Sequence, residues 1–395
     1  MAGAQLPGWR AVHGTRFAAL AAAGAITVAI AVATARAAPA TRWDPAPAAR
    51  PASAPGAPSI GDVGTVERAR FLMGTRLVIQ ARGAGAPQAI ERAFAEVERL
   101  EAVLSNWRSD SEVAHLNAAA AAAPFHCSAD LFAAATTALD WAEKTSGTFD
   151  PTVEPLVRAL GLRGDEGRLP GIVPEPESGA AGPIGWRLVE VDRGHRTIHY
   201  LRPGMGLDFG GIGKGMALDA AAAVLKHAGV TAALLDFGGQ TLVFGTGPDD
   251  GGWRLGLADP VERERVAGSV LLRAGSLAVS GNGERSHTTA SGAKIPHLLD
   301  PATGRPASFD GSVSVVAADA TSADALSKAF FVMGPERGLA WAKSRGLDVL
   351  YLRRDGDGLL QRIGRGVFLA DAPPGDPEPR PAPEQSGATS GKESR

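Results

Sequence analysis

A single cysteine, Cys127, stands among 395 residues. One thiol forms no intramolecular disulfide and anchors no cysteine-rich metal centre, so a stapled scaffold and a zinc ribbon are both excluded. The thiol reads as a small residue of a partly buried loop. An excess of one charge is also lacking. Lys+Arg number 40 against 42 Asp+Glu, a formal net charge of -2, which removes the electrostatic argument for nucleic acid or an anionic membrane surface as partner. Aromatics make up only 6% of the chain, whereas 50 Gly and 28 Pro imply many turns and short elements.

Both ends differ from the middle. Arg10, His13 and Arg16 precede an uncharged apolar run from Phe17 to Ala35, followed by small residues and Pro39. That order is the one of an export signal, with candidate cleavage after Ala33-Thr34-Ala35 or Ala35-Arg36-Ala37. The run is close to the shortest that spans a bilayer, so an uncleaved N-terminal membrane anchor is the alternative. No cysteine closes the run, which excludes a lipid anchor of the bacterial lipoprotein kind. Either way the folded part is expected outside the cytoplasm, in the periplasm or facing it at the inner membrane. Residues 38–64 are Pro/Ala-rich and residues 372–395 are rich in Pro, Glu, Ser and Gly; neither buries enough apolar surface to offset the entropy of ordering, so a linker and a tail are expected. The organisation is thus 1–37 signal or anchor, 38–64 linker, 65–371 folded body and 372–395 tail.

Within the body, 65–81 has β-type segments, and 87–104 places apolar residues at helical spacing between Glu and Arg. A second such helix covers 129–146. Past a Gly/Pro-rich insertion, 161–185, the stretch 186–200 alternates like a hairpin. A Gly-rich turn, 208–213, leads into an Ala-rich helix, 214–228. Strands are expected over 232–245, 253–258, 269–279 and 311–316, and helices over 322–333 and 336–344. Strands and helices mix without a regular βαβ beat, which favours α+β over a doubly wound parallel sheet.

Several segments carry candidate chemistry. In LDFGGIGKGMALDAAAAVLKHAG, Leu207 to Gly229, glycines surround Lys214 at a helix start. Exposed backbone N–H groups, the helix dipole and the lysine charge suit a phosphate there. The spacing is neither a Walker A loop nor a dinucleotide fingerprint, and such a turn is commonly a plain connection. In HLLDPATGRP, His297 to Pro306, a turn fixes His297, which can serve as acid or base or as a structural hydrogen-bonding residue. GTFDPTVEPL, Gly147 to Leu156, displays Phe149 and Asp150 on a loop, with Asp150 as a cap on the bland reading. In SNWRSDSEVAHLN, Ser105 to Asn117, Trp107 follows a helix and can stack on a flat ring or pack in the core.

Together with FLMGT (Phe71 to Thr75), SGNGER (Ser280 to Arg285) and ADALSKAFFVMG (Ala323 to Gly334), these segments resemble, in sequence and order, the ApbE family of FAD:protein FMN transferases, over about Val66 to Leu352. The resemblance implies an α+β, T-fold-like body: one large domain of two intimately packed subdomains, mixed sheets with flanking helices. It implies binding of FAD, a Mg²⁺ ion, and transfer of FMN to a Thr or Ser hydroxyl of a partner protein with release of AMP. The implied partner is a membrane or exported electron-transfer flavoprotein carrying a flavinylation motif. Met73, Trp107, Thr148, Phe149, Asp150, Asp208, Lys214, His297 and Leu298 fall where the family contacts FAD, Lys214 near the phosphates and His297 as acid/base toward the acceptor. The Gly211 carbonyl and Asp324 fall at metal-ligand positions.

The chain departs from the family at Lys328, which stands where a threonine faces the metal. An ammonium does not ligate Mg²⁺, and at this i, i+4 spacing it pairs with Asp324. Either the lysine swings away and water completes the metal shell, or it replaces the cation. Gly283 stands where the family often has an aromatic. The alternatives to a transferase are a non-catalytic FAD-binding accessory protein and an FAD pyrophosphatase. The tail sequence Ser386-Gly387-Ala388-Thr389 matches the acceptor motif, a four-residue match that chance supplies readily in a Ser/Gly tail.

Overall fold

A computed structural model describes residues 65–162, 172–173, 183–282, 286–289 and 294–369. The signal, linker and tail, Thr389, most of the insertion and Gly283 lie outside the described residues. Among the described residues no helix is long and apolar enough to cross a membrane.

The frame is an 8-stranded sheet. Its strands are β1 (Thr65–Leu72), β2 (Thr75–Arg82), β3 (Ala232–Phe237), β4 (Gln240–Phe244), β5 (Gly275–Gly281), β6 (Ser312–Ala317), β7 (Asp348–Arg354) and β8 (Leu360–Arg365). They lie in the sheet in the order in which the chain supplies them. Every neighbouring pair is antiparallel. The period-2 alternation of side chains sorts them onto two faces. Ala233, Leu235 and Phe237 of β3 enter one core, while Ala232 and Leu234 enter another on the opposite face. Likewise Val349 and Tyr351 of β7 lie in a helix-side core and Leu350 and Leu352 in the opposite one.

That opposite face is covered by the hairpin Trp253–Ala258/Val266–Leu272, whose first strand alternates buried and exposed from a fully buried Trp253. The stretch 269–279, expected as one strand, is two strands of different sheets. Gly275 has a φ of 105°, and a Cβ there would lie 2.5 Å from the Ala317 carbonyl oxygen, so the chain turns where only glycine fits.

The other face carries helices. In α1 (Ala86–Leu104) the buried residues Ala89, Ile90, Ala93, Phe94, Val97, Leu100 and Leu104 recur at three- and four-residue steps and form the stripe set against the sheet. Then come α2 (Glu112–Ala119), not anticipated from the sequence, α3 (Ala129–Lys144) and α4 (Glu154–Ala159). With a three-stranded sheet, Phe125–His126, Val189–Asp192 and Thr197–Tyr200, they form a second layer. Its core is continuous with the main one: Leu116, Leu131 and Ile198 share a cluster with Phe209, Val313, Phe330 and Tyr351. The expected α+β architecture of packed subdomains is therefore the one observed.

Helix α5 (Gly213–His227) buries Gly215, Ala217, Ala221 and Ala222, small enough for close approach to its neighbours. Helix α6 (Ala320–Arg345) is two helices joined at Gly334, whose φ of 71° and ψ of 173° are not helical, ahead of Pro335. The two helices expected over 322–333 and 336–344 are separated at this break.

Candidate active site

Two loops and the start of a second helix meet at one helix start. The first is the turn 208–212 that opens α5. Two asparagines hold the extended segment leading into it: Asn106 Nδ2 and Asn117 Nδ2 donate to the Leu207 carbonyl at 2.8 and 2.9 Å, while Asn117 Oδ1 accepts from Leu207 N at 2.8 Å and from the Tyr200 hydroxyl at 2.7 Å. Sequence reasoning missed both. Their signal was the two amides bracketing SNWRSDSEVAHLN, Asn106 ahead of the short helix α2 and Asn117 inside it. Asp208 Oδ1 accepts from Gly210 N at 2.6 Å, an Asx turn that closes the loop locally.

The second loop is 147–152. Asp150 is buried and both its oxygens accept hydrogen bonds, one from within the loop and one from Trp186. Oδ1 accepts from Thr152 N at 2.9 Å and Thr152 Oγ1 at 2.6 Å, and Oδ2 from Trp186 N at 3.0 Å. Burial raises its pKa against the lowering effect of these bonds. Asp150 therefore shapes the loop, as its capping reading holds. Thr148 Oγ1 donates back to Thr145 O at 2.9 Å. Pro151 O accepts from Asp208 N at 2.7 Å, which ties this loop to the first. Phe149 is buried beside Gly211, where a Cβ would come within 3.1 Å of its ring.

The third element is the start of α6. Asp219 of α5 reaches across and caps it, accepting from Ala320 N and Thr321 N at 2.9 Å each and from Thr321 Oγ1 at 2.6 Å. The single acidic residue in an Ala-rich helix was the sequence signal for this, and it was not used. The two helices meet so closely that a Cβ on Gly215 would lie 2.4 Å from the Ala320 carbonyl oxygen.

Asp324, one turn into α6 and 1% exposed, lies at this junction. Its Oδ2 accepts from Gly215 N at 2.9 Å. Lys328 Nζ sits directly on its Oδ1, with Lys214 Nζ 4.0 Å from the same oxygen. Burial alone would raise the Asp324 pKa, but the Lys214 and Lys328 charges and the two hydrogen bonds outweigh it and hold the carboxyl below its ordinary range. Ser327 Oγ donates to Asp324 O at 2.8 Å, stands 2.8 Å from Ser280 Oγ, and lies 3.3 Å from Lys328 Nζ. The Lys328 stem passes 3.7 Å from the position a Gly211 Cβ would take. Gly211, Lys214, Phe149, Asp324 and Lys328 are thus one cluster. With two ammonium groups, one carboxylate and the positive end of α5, it favours an anion.

The magnesium expectation does not fit this donor set. Mg²⁺ takes hard oxygen ligands at about 2.0–2.1 Å in near-octahedral geometry. Here one Asp324 oxygen faces an ammonium and the other a backbone N–H. No group of three or more His, Cys, Asp or Glu residues suited to a metal occurs among the described residues.

The remaining expected contacts sit on other turns and loops. Met73, with a φ of 45°, and Gly74, at 72°, form the two-residue turn between β1 and β2. Trp107 is 65% exposed between α1 and α2. His297 lies two residues ahead of the small hairpin Leu299–Asp300/Arg305–Pro306. Leu298 is buried in the same core as Phe149, Phe209 and Ile212.

Comparison with known proteins identifies the family and the fold. The sequence profile of the ApbE family matches residues 73–351. An FAD:protein FMN transferase of Treponema pallidum is 32% identical over 308 residues, covering 73% of this chain and 84% of that protein. The one from Salmonella typhimurium is 28% identical over 295 residues, covering 72% and 83% respectively. Among solved structures, the flavin transferase ApbE of Vibrio cholerae superposes with a TM-score of 0.68 at 26% identity, covering 78% of this chain and 99% of that one. The apbe protein of Thermotoga maritima gives 0.67 at 28% identity, covering 75% and 96%. By this profile match and these relatives, the chain belongs to the ApbE family.

Proposed function

We propose that this chain is an FAD:protein FMN transferase that moves FMN from FAD onto a Thr or Ser hydroxyl of a partner protein. The observation that carries the reading is the direct hydrogen bond from Gly215 N, in the first turn of α5, to the Asp324 carboxylate at 2.9 Å. It locks the phosphate-suited helix start to the acidic residue of α6 with both lysines beside it. The relatives' printed activity supplies the reaction class.

In this reaction the acceptor oxygen attacks the phosphorus on the riboflavin side of the FAD diphosphate. A new P–O bond forms, the bond from that phosphorus to the bridging oxygen breaks, and the bridging oxygen leaves on AMP. The hydroxyl proton passes to a base, the role assigned to His297. Negative charge builds on the phosphoryl oxygens and on the leaving AMP, and preorganised positive groups lower that barrier. Lys214 and the N–H groups of the 208–213 turn are suited to the diphosphate, with Asp208 holding the turn in shape. Thr148, Phe149, Leu298, Met73 and Trp107 are assigned to the flavin and adenine rings. The export signal or anchor read in residues 1–37 puts the enzyme at or beyond the inner membrane, where an exported electron-transfer flavoprotein is the acceptor of matching location.

The test incubates purified protein with FAD and a Thr-containing acceptor peptide, once with Mg²⁺ and once with EDTA. FMN-peptide plus AMP in either medium supports the transferase. Bound FAD alone identifies an accessory protein, and free FMN plus AMP identifies a pyrophosphatase. His297→Asn is expected to bind FAD and transfer nothing.

A further inference from the structure

The Lys328 ammonium lies where a cation is needed and makes a metal ion at that point unfavourable. It is held by two acceptors, Asp324 Oδ1 and Ser327 Oγ. Ser327 gives its proton to the Asp324 carbonyl oxygen, so Ser280 is the donor in the contact between the two hydroxyls. The Ser327 oxygen therefore accepts from Ser280 and Lys328, which uses both its lone pairs. Asp324 Oδ2 is directed at Gly215 N. A divalent ion arriving here would have to displace an ammonium from a carboxylate that is 1% exposed, with a second ammonium 4.0 Å away.

We infer that Lys328 is a built-in cation: with Lys214 and the start of α5 it neutralises the diphosphate of FAD, and this chain binds its dinucleotide without a divalent metal. The inference rests on the FAD-dependent reading above. Two lysines against one aspartate leave one net positive charge, and the helix start adds about half a charge. An ammonium has three N–H donors. Two of those of Lys328 are directed at Asp324 and Ser327, and the third is assigned to a phosphate oxygen. Its side chain is 17% exposed and that of Lys214 25%, so both charges are partly shielded from water yet open to a ligand. An ammonium on a four-carbon stem also carries no exchangeable ion, so chelators have nothing to remove.

Two readouts test this on the full chain. Flavin fluorescence gives the FAD Kd in Mg²⁺ and in EDTA, and the EPR signal of Mn²⁺ reports metal uptake directly. The expected results are an FAD Kd unchanged between the two media and no Mn²⁺ bound by the natural protein. Lys328→Thr, which frees Asp324 Oδ1, is expected to bind Mn²⁺ and to bind FAD about tenfold more weakly in EDTA than in Mg²⁺. Lys328→Met, which keeps the stem but loses the charge, is expected to bind FAD about tenfold more weakly in both. If the natural protein loses FAD affinity in EDTA and regains it with Mg²⁺, or takes up Mn²⁺ in a manner abolished by Asp324→Asn, the built-in cation is refuted and the transferase reading stands. If the natural protein binds FAD in neither medium, the flavin reading fails and the inference fails with it.

Discussion

Replacing Gly215 by alanine tests the junction on which the site is built. In an ordinary helix the change is favourable by about 1 kcal/mol, because alanine loses less backbone entropy than glycine. Here the new Cβ would lie 2.4 Å from Ala320 O, 2.7 Å from Ala320 C and 2.8 Å from Thr321 Cα. All three are backbone atoms, and Asp219 pins that backbone through Ala320 N and Thr321 N, so no side-chain rotation relieves the overlap. Overpacking of this kind costs about 1–3 kcal/mol, and a clash with fixed backbone belongs at the upper end. The net is a loss of about 2 kcal/mol, which for a body of this size lowers Tm by roughly 3 °C. Separating the helices also lengthens the Gly215 N–H to Asp324 bond, so FAD affinity, read by flavin fluorescence, falls as well. Gly213→Ala is the matched control, since its Cβ would meet only Phe209 Cβ at 3.5 Å, an ordinary contact. Differential scanning calorimetry of the two variants decides. A Gly215→Ala protein melting at or above the natural one, or a Gly213→Ala protein losing as much, would refute the close-approach reasoning.

Asp219→Ala removes the acceptor of three hydrogen bonds at the start of α6 and is expected to cost about 1–2 kcal/mol, measured as a lower urea midpoint at unchanged slope. Cys127 is buried, and burial first, with the nearby Glu112 charge second, pushes its thiol up to about 12; iodoacetamide at mild alkaline pH is expected to label it only after unfolding, and rapid native labelling counts against the burial. The folded Asp324 pKa lies below the ordinary 3.8, so its stabilising contribution is complete above that value and is lost as pH falls through the folded one. Urea midpoints on an acid titration below about pH 4 are therefore expected to fall more steeply for the natural protein than for Asp324→Asn, and parallel curves would sink the pairing argument.

The sequence showed the elements better than their assembly. Helix α1 was legible because its apolar residues keep helical spacing, and the break in α6 because Gly334-Pro335 marks it. Helix α2 was not, since only Val113 and Leu116 are buried in its eight residues, too little pattern to separate it from a loop. The stretch 269–279 read as one strand because β-type residues continue through the turn, and only tertiary approach to Ala317 reveals the bend. At the site, the pairing of Asp324 with Lys328 followed from i, i+4 spacing alone. The contacts of Asp324 with Gly215 and of Asp219 with Thr321 join positions more than a hundred residues apart, and no local pattern names the distant partner. The Asn106 and Asn117 bonds to Leu207 are of the same kind.

The strands of the large sheet follow one another in chain order, yet its first two and the third are separated by everything from α1 to α5. Ring closure over that span is entropically slow, and the pairing of β2 with β3 gains nothing until it is done. The glycine turn belongs to that long excursion and the acidic partner to the segment after β6, so a nascent chain has hairpins before it has any place for a nucleotide. Assembly of the proposed site is therefore a late event in the life of the molecule, reserved for chains whose distant halves have already met.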